Sequence, residues 1–255
     1  MEPSIQVSVL IPLHNEQDIL LGNVEYLAGE FDKIFGQLAW HFVLVDNASS
    51  DNTPEVIQEI LKRWPNSVSE YEPSLNYGKA LKTGMKRASA PWVHSIDIEQ
   101  WDIPFVRWAW KNRDLYDLFI ASKRADPTLN RQAPYRRFLS WGLNALINLM
   151  LGYSGTETHG PKLLRMEKVR PIINICQMSR GQFDVELVVR AFRKGFRIIE
   201  IPVEYAEQRA SKNLMFLKIL WNVKEFIRLN RLLVDYPYEG SVNLYRISRR
   251  DVLEE

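Results

Sequence analysis

The chain has 255 residues, 46% of them hydrophobic and 25% charged, enough to bury a sizeable core in one large domain or in one domain with an appendage. Lys and Arg number 33 against 31 for Asp and Glu, so the overall charge calls for no nucleic-acid partner. A single cysteine, Cys176, excludes an internal disulfide and fits a reducing compartment, the four histidines lack zinc-ligand spacing, and no run reaches the roughly 18 apolar residues that cross a bilayer.

Taken in order, Val7 to Pro12 is an apolar, β-rich run closed by a proline and predicts a buried first strand. Leu13 to Glu16 follows as a polar loop, and the spacing of Ile19, Leu20, Val24, Leu27, Phe31 and Ile34 predicts a helix over 18–35. Trp40 to Val45 predicts a second strand. Dense turn chemistry from Asp46 to Thr53 leads from it into a helix opened by Pro54, with Thr53 as expected N-cap. Val68 to Tyr71 predicts a short third strand, and a helix through Leu81, Met85 and Ala88 follows Asn76-Tyr77-Gly78-Lys79. Val93 to Glu99 then predicts a fourth strand that delivers Asp97 and Glu99 to one side at its C-terminal end. Such alternation implies an α/β fold, a mostly parallel sheet flanked by helices, with functional loops at the C-terminal strand ends. Two carboxylates there suit one hard cation and, through it, a diphosphate.

The second half is expected to add a helix from Phe183 through Val189, Ala191 and Phe192, and an edge strand from Val242 to Ile247. Between 122 and 137, Lys123, Arg124, Arg131, Arg136 and Arg137 face one acid, Asp126, a patch suited to a phosphate-bearing ligand. From Leu214 to Val234, the apolar residues Phe216, Ile219, Leu220, Val223, Phe226, Ile227 and Val234 share one helical face opposite Lys218, Lys224, Glu225, Arg228 and Arg231. An amphipathic helix of this kind suits a membrane interface, the domain core or a second subunit. Leu143 to Leu151 suits a lipid face as well, with core burial the stronger expectation. The chain is thus divided into 1–212 and a C-terminal helix and tail, 213–255. The stretch Ile5 to Leu13 is short for a signal peptide and has no basic leader, so the expected location is cytoplasmic, with peripheral attachment to the cytoplasmic face of a membrane.

Four ordered motifs carry a resemblance. Val9-Leu10-Ile11-Pro12-Leu13-His14-Asn15-Glu16, Val45 to Thr53, Asn76-Tyr77-Gly78-Lys79 and Asp97-Ile98-Glu99 resemble, in order and spacing, the family-2 glycosyltransferases of GT-A (Rossmann-like) fold. The match is closest to the dolichol-phosphate mannose synthase and polyprenyl-phosphate sugar transferase branch. Phe119 to Arg124 looks like that branch's strand with a G-S-R ending, Phe196 to Val203 like its strand ending in Glu200-Ile201-Pro202-Val203, and Arg137 to Ser140 with Asn144 and Arg209-Ala210-Ser211-Lys212 look like further motifs of that branch. This chain departs from the pattern in having Glu99 in the metal motif, Asn47 in the second loop, and Thr156 with Gly160-Pro161 where the branch has Asp and Gly-Phe.

The resemblance implies metal-dependent, inverting transfer of a sugar from a UDP- or GDP-linked donor to a polyprenyl (dolichyl-type) phosphate. Pro12, His14, Asn15, Glu16, Asp46, Asn47, Lys79 and Asp97 would bind the nucleotide sugar, and Asp97 with Glu99 would hold Mg²⁺ or Mn²⁺. Arg124, Arg136 and Arg137, with Arg209, Ser211 and Lys212, would bind the acceptor phosphate. An anionic phosphate acceptor needs alignment rather than a base, whereas a hydroxyl on a saccharide or polymer needs one, with Glu157, His159 and Asp184 as candidates. A catalytically degenerate GT-A binding module is the competing class, and a homo-oligomer or membrane surface is kept among the partners. A nucleotidyltransferase is disfavoured because the chain has no Gly-rich phosphate loop.

Overall fold

Apolar β-branched runs become strands covered on both faces. β1 (Val7–Leu13), β2 (Trp40–Asp46), β5 (Leu118–Ser122) and β7 (Ile198–Pro202) are buried along their whole lengths. The computed structural model describes residues 4–131, 134–204, 215–234, 236–239, 241 and 243–254. In it β3 (Val68–Tyr71), β4 (Trp92–Ser95), β6 (Lys162–Arg165) and β8 (Leu244–Arg246) complete one sheet. The strand order is β3-β2-β1-β4-β6-β5-β7-β8. Only β6 runs antiparallel to its neighbours.

The pleat divides the core into two layers. Val9, Ile11, Phe42, Leu44, Phe119 and Ile199 pack with residues of α1 (Leu20–Phe35), α2 (Thr53–Arg63) and α4 (Ile103–Lys111). Leu10, Val43, Val45, Leu118, Ile120 and Ile198 pack on the other face with α3 (Tyr77–Arg87), α5 (Pro134–Leu151), α6 (Met166–Ile175), α7 (Gln182–Arg193) and α8 (Met215–Leu232). α9 (Arg249–Leu253) starts on a capping box, Ser248 with Asp251, and buries Val252 in the first layer. β8 pairs with β7, so the C-terminal tail contributes a strand to the same sheet.

Several expectations change. β4 stops at Ser95, so Asp97 and Glu99 lie beyond the strand, in a turn closed by the Asp97–Gln100 bridge. Pro12 sits inside β1, buried, and does not line the loop. The alternation of β1 explains how a central strand tolerates it. The Leu13 carbonyl accepts from Asn47 on the β2 side and the Leu10 carbonyl from Ile96 on the β4 side, so position 12 turns its missing N–H toward β4, whose paired residues end opposite Leu10. The N-cap of α2 is Asn52, without a side-chain cap bond, because the Thr53 hydroxyl is taken by the Glu16 amide at 2.8 Å.

In α8 and the turn that follows it, Phe226, Leu229 and Leu233 face the core while Ile227 and Val234 are exposed. The described half therefore packs on the domain, along a face rotated from the expected one. Phe216, Ile219 and Leu220 lie outside the described side chains. In α5, Ile147 and Leu151 are buried, in keeping with the core reading of 143–151, while Leu149 is exposed.

His94 in β4 is fully buried. Its Nδ1 donates to the Lys162 carbonyl at 3.0 Å and its Nε2 has no hydrogen-bond partner among the described residues. Burial pushes its pKa down to about 4 from an ordinary 6.5. Above that ordinary value the imidazole is neutral in both states. As the pH falls below it, the unfolded chain takes up a proton that the folded chain refuses, and stability drops by about 1.4 kcal/mol per pH unit until near pH 4. His94→Phe is expected to shrink the stability difference between pH 7 and pH 5 by about 2 kcal/mol, measured by urea unfolding at both pH values.

Candidate active site

The order of strands reverses between β1 and β4, and the polar loops gather at the C-terminal edge around that point. On the β1 side, Asn15 adopts a left-handed conformation (φ 56°), which Asn tolerates better than most residues. Its Oδ1 accepts from the Ser50 amide at 2.8 Å, and its own amide donates to Ser49 Oγ at 3.1 Å. His14 Nδ1 lies 3.1 Å from the Asn47 carbonyl. The Glu16 carbonyl accepts from the Leu20 amide, so Glu16 caps α1 through its backbone as well as standing at the loop's mouth.

The β2 loop is braced in the same way. Asp46 Oδ1 accepts from the Ser49 amide, three residues on, at 3.0 Å, while Asn47 Oδ1 accepts from the Asn76 amide at 2.8 Å. Asn76 in turn caps α3 through the Lys79 amide and accepts from the Arg180 amide at 2.8 Å. Gly78 is required at this joint: a Cβ there would stand 2.2 Å from the Arg180 carbonyl oxygen. The loops after β1, β2 and β3 are therefore tied to one another and to the turn before α7. Lys79 is exposed, and its ammonium donates to Ser74 Oγ at 3.2 Å.

Asp97 Oδ1 accepts from the Glu99 amide at 3.0 Å, and the Ile98 carbonyl accepts from Asn23 Nδ2 at 2.9 Å, which fixes the turn against α1. Both carboxylates are half-buried. Burial, then the charges of Asp184 and Asp97, push the Tyr77 phenol well above its ordinary pKa, so its hydroxyl stays protonated between two carboxylate-bearing segments. Asp184 is buried, paired through Oδ1 with Lys162 Nζ at 2.8 Å, and its Oδ2 has no hydrogen-bond partner among the described residues. Tyr77 and Lys162 were not expected as site residues. Tyr77 sits inside the Asn76–Lys79 motif, but nothing local marks Lys162, whose role comes from β6 setting it level with Ser95 and Ile120.

On the other side of β6, Ser122 ends β5 and Arg124 follows. The Arg124 guanidinium donates through Nε to the Thr156 carbonyl and pairs through Nη2 with Glu157 Oε1 at 3.2 Å. Glu157 Oε1 also accepts from the amides of Thr158 and His159. Burial alone would raise the Glu157 pKa, but the Arg124, Lys123 and His159 charges together hold it below the ordinary value. That makes Glu157 a partner for Arg124 and a poor proton acceptor. His159 Nδ1 lies 2.9 Å from Thr158 Oγ1.

Arg124 and Arg137, thirteen positions apart, come together with Lys123, Pro127, Asn130, Phe138 and Trp141 around a cleft of about 290 Å³. Arg137 Nη2 donates to the Pro127 carbonyl at 3.3 Å. Beside the cleft α5 exposes Tyr135, Phe138, Trp141 and Leu149, the last three 68, 63 and 84% exposed. Arg209, Ser211 and Lys212, and the side chain of Arg136, lie outside the described residues.

No group of three or more His, Cys, Asp or Glu side chains forms a metal cage among the described residues. The two carboxylates at 97 and 99 are hard oxygen donors, the set that suits Mg²⁺ or Mn²⁺ when substrate phosphates supply the remaining ligands. The residues present fit such an ion.

Comparison with known proteins agrees with this geometry. The glycosyl transferase family 2 model matches residues 8–98, which hold all the loops from β1 to the Asp97 turn. Dolichyl-phosphate beta-glucosyltransferase ALG5A of Trichomonas vaginalis is 28% identical over 223 residues, covering 82% of this chain and 68% of that protein. The mannosyltransferase PcManGT from Pyrobaculum calidifontis, solved with GDP-Man and Mn²⁺, superposes with a TM-score of 0.61 at 17% identity, over 94% of this chain and 66% of that one. Glucosyl-3-phosphoglycerate synthase from Mycobacterium tuberculosis, solved with Mn²⁺, UDP-glucose and phosphoglyceric acid, gives 0.60 at 17% identity, over 93 and 81%. The mostly parallel sheet with its one reversed strand is the GT-A arrangement, and residues 8–98 of the chain carry a glycosyl transferase family 2 domain, that of nucleotide-sugar glycosyltransferases.

Proposed function

We propose that this glycosyltransferase moves a hexosyl group from a UDP- or GDP-linked sugar to the phosphate of a polyprenyl lipid, with inversion. The observation that carries the choice of acceptor is the cationic cleft of Arg124 and Arg137 opening beside the exposed aromatic and aliphatic face of α5. A phosphate headgroup needs the first and an isoprenoid chain the second. The name of the Trichomonas vaginalis relative, a dolichyl-phosphate beta-glucosyltransferase, points the same way.

In this mechanism the loops of Asn15, Glu16, Asp46 and Asn47 hold the base and ribose, and their mutual hydrogen bonds set the nucleoside before it arrives. Asp97 and Glu99 would hold Mg²⁺ or Mn²⁺, which when bound would supply positive charge to the leaving diphosphate. Arg124 and Arg137 align the acceptor phosphate, whose oxygen attacks the anomeric carbon as the bond from that carbon to the nucleoside diphosphate breaks. The attacking oxygen is already anionic near neutral pH, so no proton need be removed. The chain has no described helix long and apolar enough to cross a membrane, and the proposed attachment is peripheral, through α5.

A second acceptor class is favoured by one observation, the buried Asp184 Oδ2 without a hydrogen-bond partner among the described residues. A carboxylate oxygen so placed suits a general base for a sugar hydroxyl. The test is direct. UDP-glucose and GDP-mannose are titrated by calorimetry with Mn²⁺ and with chelator, and radiolabelled donor is then supplied with dolichyl phosphate in detergent. The expected result is metal-dependent binding of one donor and label in the lipid phase, retained in Asp184→Asn. Transfer only to oligosaccharide acceptors, lost in Asp184→Asn, would replace the lipid-phosphate reading with the hydroxyl one.

A further inference from the structure

Glu200 stands in the middle of β7 and is completely buried. Its neighbours Ile199 and Ile201 face the α1 layer, so its carboxylate points to the opposite face, under the loop that leads into β6. A buried carboxylate is costly unless fully hydrogen-bonded, and this one accepts five donors. Oε1 takes the amides of Thr156 and Glu157 at 2.6 and 3.1 Å and the Tyr153 hydroxyl at 3.2 Å. Oε2 takes Thr156 Oγ1 at 2.8 Å and Arg246 Nε at 3.0 Å. Arg246 is the cross-strand neighbour of Glu200 on β8, and its Nη2 reaches the Ser154 carbonyl at 2.9 Å.

The loop held in this way is the one that holds Arg124. Its Thr156 carbonyl and Glu157 carboxylate are the guanidinium's partners, and Thr156 Oγ1 lies 2.8 Å from Ser122 Oγ, where β5 gives way to the cationic segment. Contacts thus run without a break from Arg246 to Glu200, to Thr156 and Glu157, and to Arg124. Neither Glu200 nor Arg246 lines the cleft itself.

We infer that Glu200, locked by Arg246 from the C-terminal edge strand, is a positioning residue that sets where Arg124 stands and so governs use of the acceptor phosphate. The inference rests on the lipid-phosphate reading only for its kinetic consequence; the bracing itself is a property of the loop. Removing Arg246 leaves Glu200 with its amide donors but without the cation, and Glu200→Gln replaces an acceptor oxygen by an amide nitrogen facing donors.

The test is hydrogen–deuterium exchange on the full chain for wild type, Arg246→Ala, Glu200→Gln and Arg246→Lys, together with steady-state kinetics using dolichyl phosphate and calorimetry of the nucleotide sugar. In Arg246→Ala and Glu200→Gln the Thr156 and Glu157 amides are expected to exchange about tenfold faster, with the loops at 13–17 and 46–53 unchanged. The KM for dolichyl phosphate should rise about tenfold at unchanged donor affinity, and Arg246→Lys should recover part of both. Unchanged exchange at 156–157, or donor affinity falling in step with acceptor use, would overturn the positioning role. Because Arg246 is on an edge strand and 48% exposed, its variants test the idea even where Glu200→Gln fails to fold. Faster exchange in a protein whose wild type leaves dolichyl phosphate unmodified would uphold the bracing and overturn the lipid-phosphate reading.

Discussion

Asp97→Asn is expected to abolish metal-dependent nucleotide-sugar binding and to lower kcat/KM about a thousandfold while leaving the thermal midpoint near that of wild type. Asparagine keeps an oxygen where Asp97 Oδ1 accepts the Glu99 amide at 3.0 Å, so the turn beyond β4 survives. What would be lost is one of the two carboxylates proposed to hold the metal on the donor diphosphate. A divalent ion stabilises the departing charge by several kcal/mol, and losing about 4 kcal/mol of that corresponds to roughly three orders of magnitude in rate. Glu99→Gln should cost less, because the longer side chain at 99 is the more adaptable of the pair. Calorimetry with Mn²⁺ and with chelator, alongside a melting curve, separates lost binding from lost folding. If transfer continues at the wild-type rate, the carboxylates at 97 and 99 are not the metal site. If binding disappears while the biological role persists in a complementation assay, the degenerate-module alternative gains the support it now lacks.

The parts of this site that the sequence foretold share a physical origin. Asn15, Asp46, Asn47 and Asn76 act through hydrogen bonds to nearby loops, and their residue types are those that turns and caps select, so their positions after apolar runs were readable in advance. Asp97 and Glu99 were placed at the right edge but in the wrong local structure. A β-branched run suggests a strand as far as Glu99, whereas the paired residues of β4 end where β6 does, with Ser95 opposite Lys162. Strand length here is a tertiary property. The antiparallel β6 itself went unforeseen, since four residues of mixed polarity at 162–165 carry little periodicity.

The charged partners behind the loops were less legible still. Lys162 with Asp184, and Arg246 with Glu200, are pairs 22 and 46 positions apart. Each places a charge in a run that reads as ordinary strand or helix, and only the sheet brings the partners together. Glu200 was visible as part of a motif, yet its function as the anchor of five hydrogen bonds was not, because that depends on which face of β7 it occupies. The amphipathic pattern at 214–234 was real as a pattern. In the described half the core takes a face rotated from the expected stripe: Phe226 is shared, Leu229 and Leu233 join it, and Ile227 and Val234 stay exposed.

Arg137→Ala is expected to raise the KM for a polyprenyl phosphate by about ten- to a hundredfold, with donor affinity and stability close to wild type. The magnitude follows from a charge-assisted hydrogen bond to phosphate, worth about 1.5–3 kcal/mol. Arg137 is the cleaner of the two cleft arginines to remove. It is exposed and its bond to the Pro127 carbonyl is long at 3.3 Å, so truncation leaves no buried charge behind. Arg124→Ala, by contrast, strips Glu157 of its guanidinium in a site where that carboxylate is only 3% exposed, and breaking such a pair costs about 3 kcal/mol of stability or more. For that position Arg124→Lys is the better probe, since it keeps a cation for Glu157 and loses the planar fork that grips phosphate. Equal losses of donor and acceptor binding would remove the two arginines from the acceptor cleft and place them with the nucleotide diphosphate, and the aromatic face of α5 would then lose its claim to the lipid.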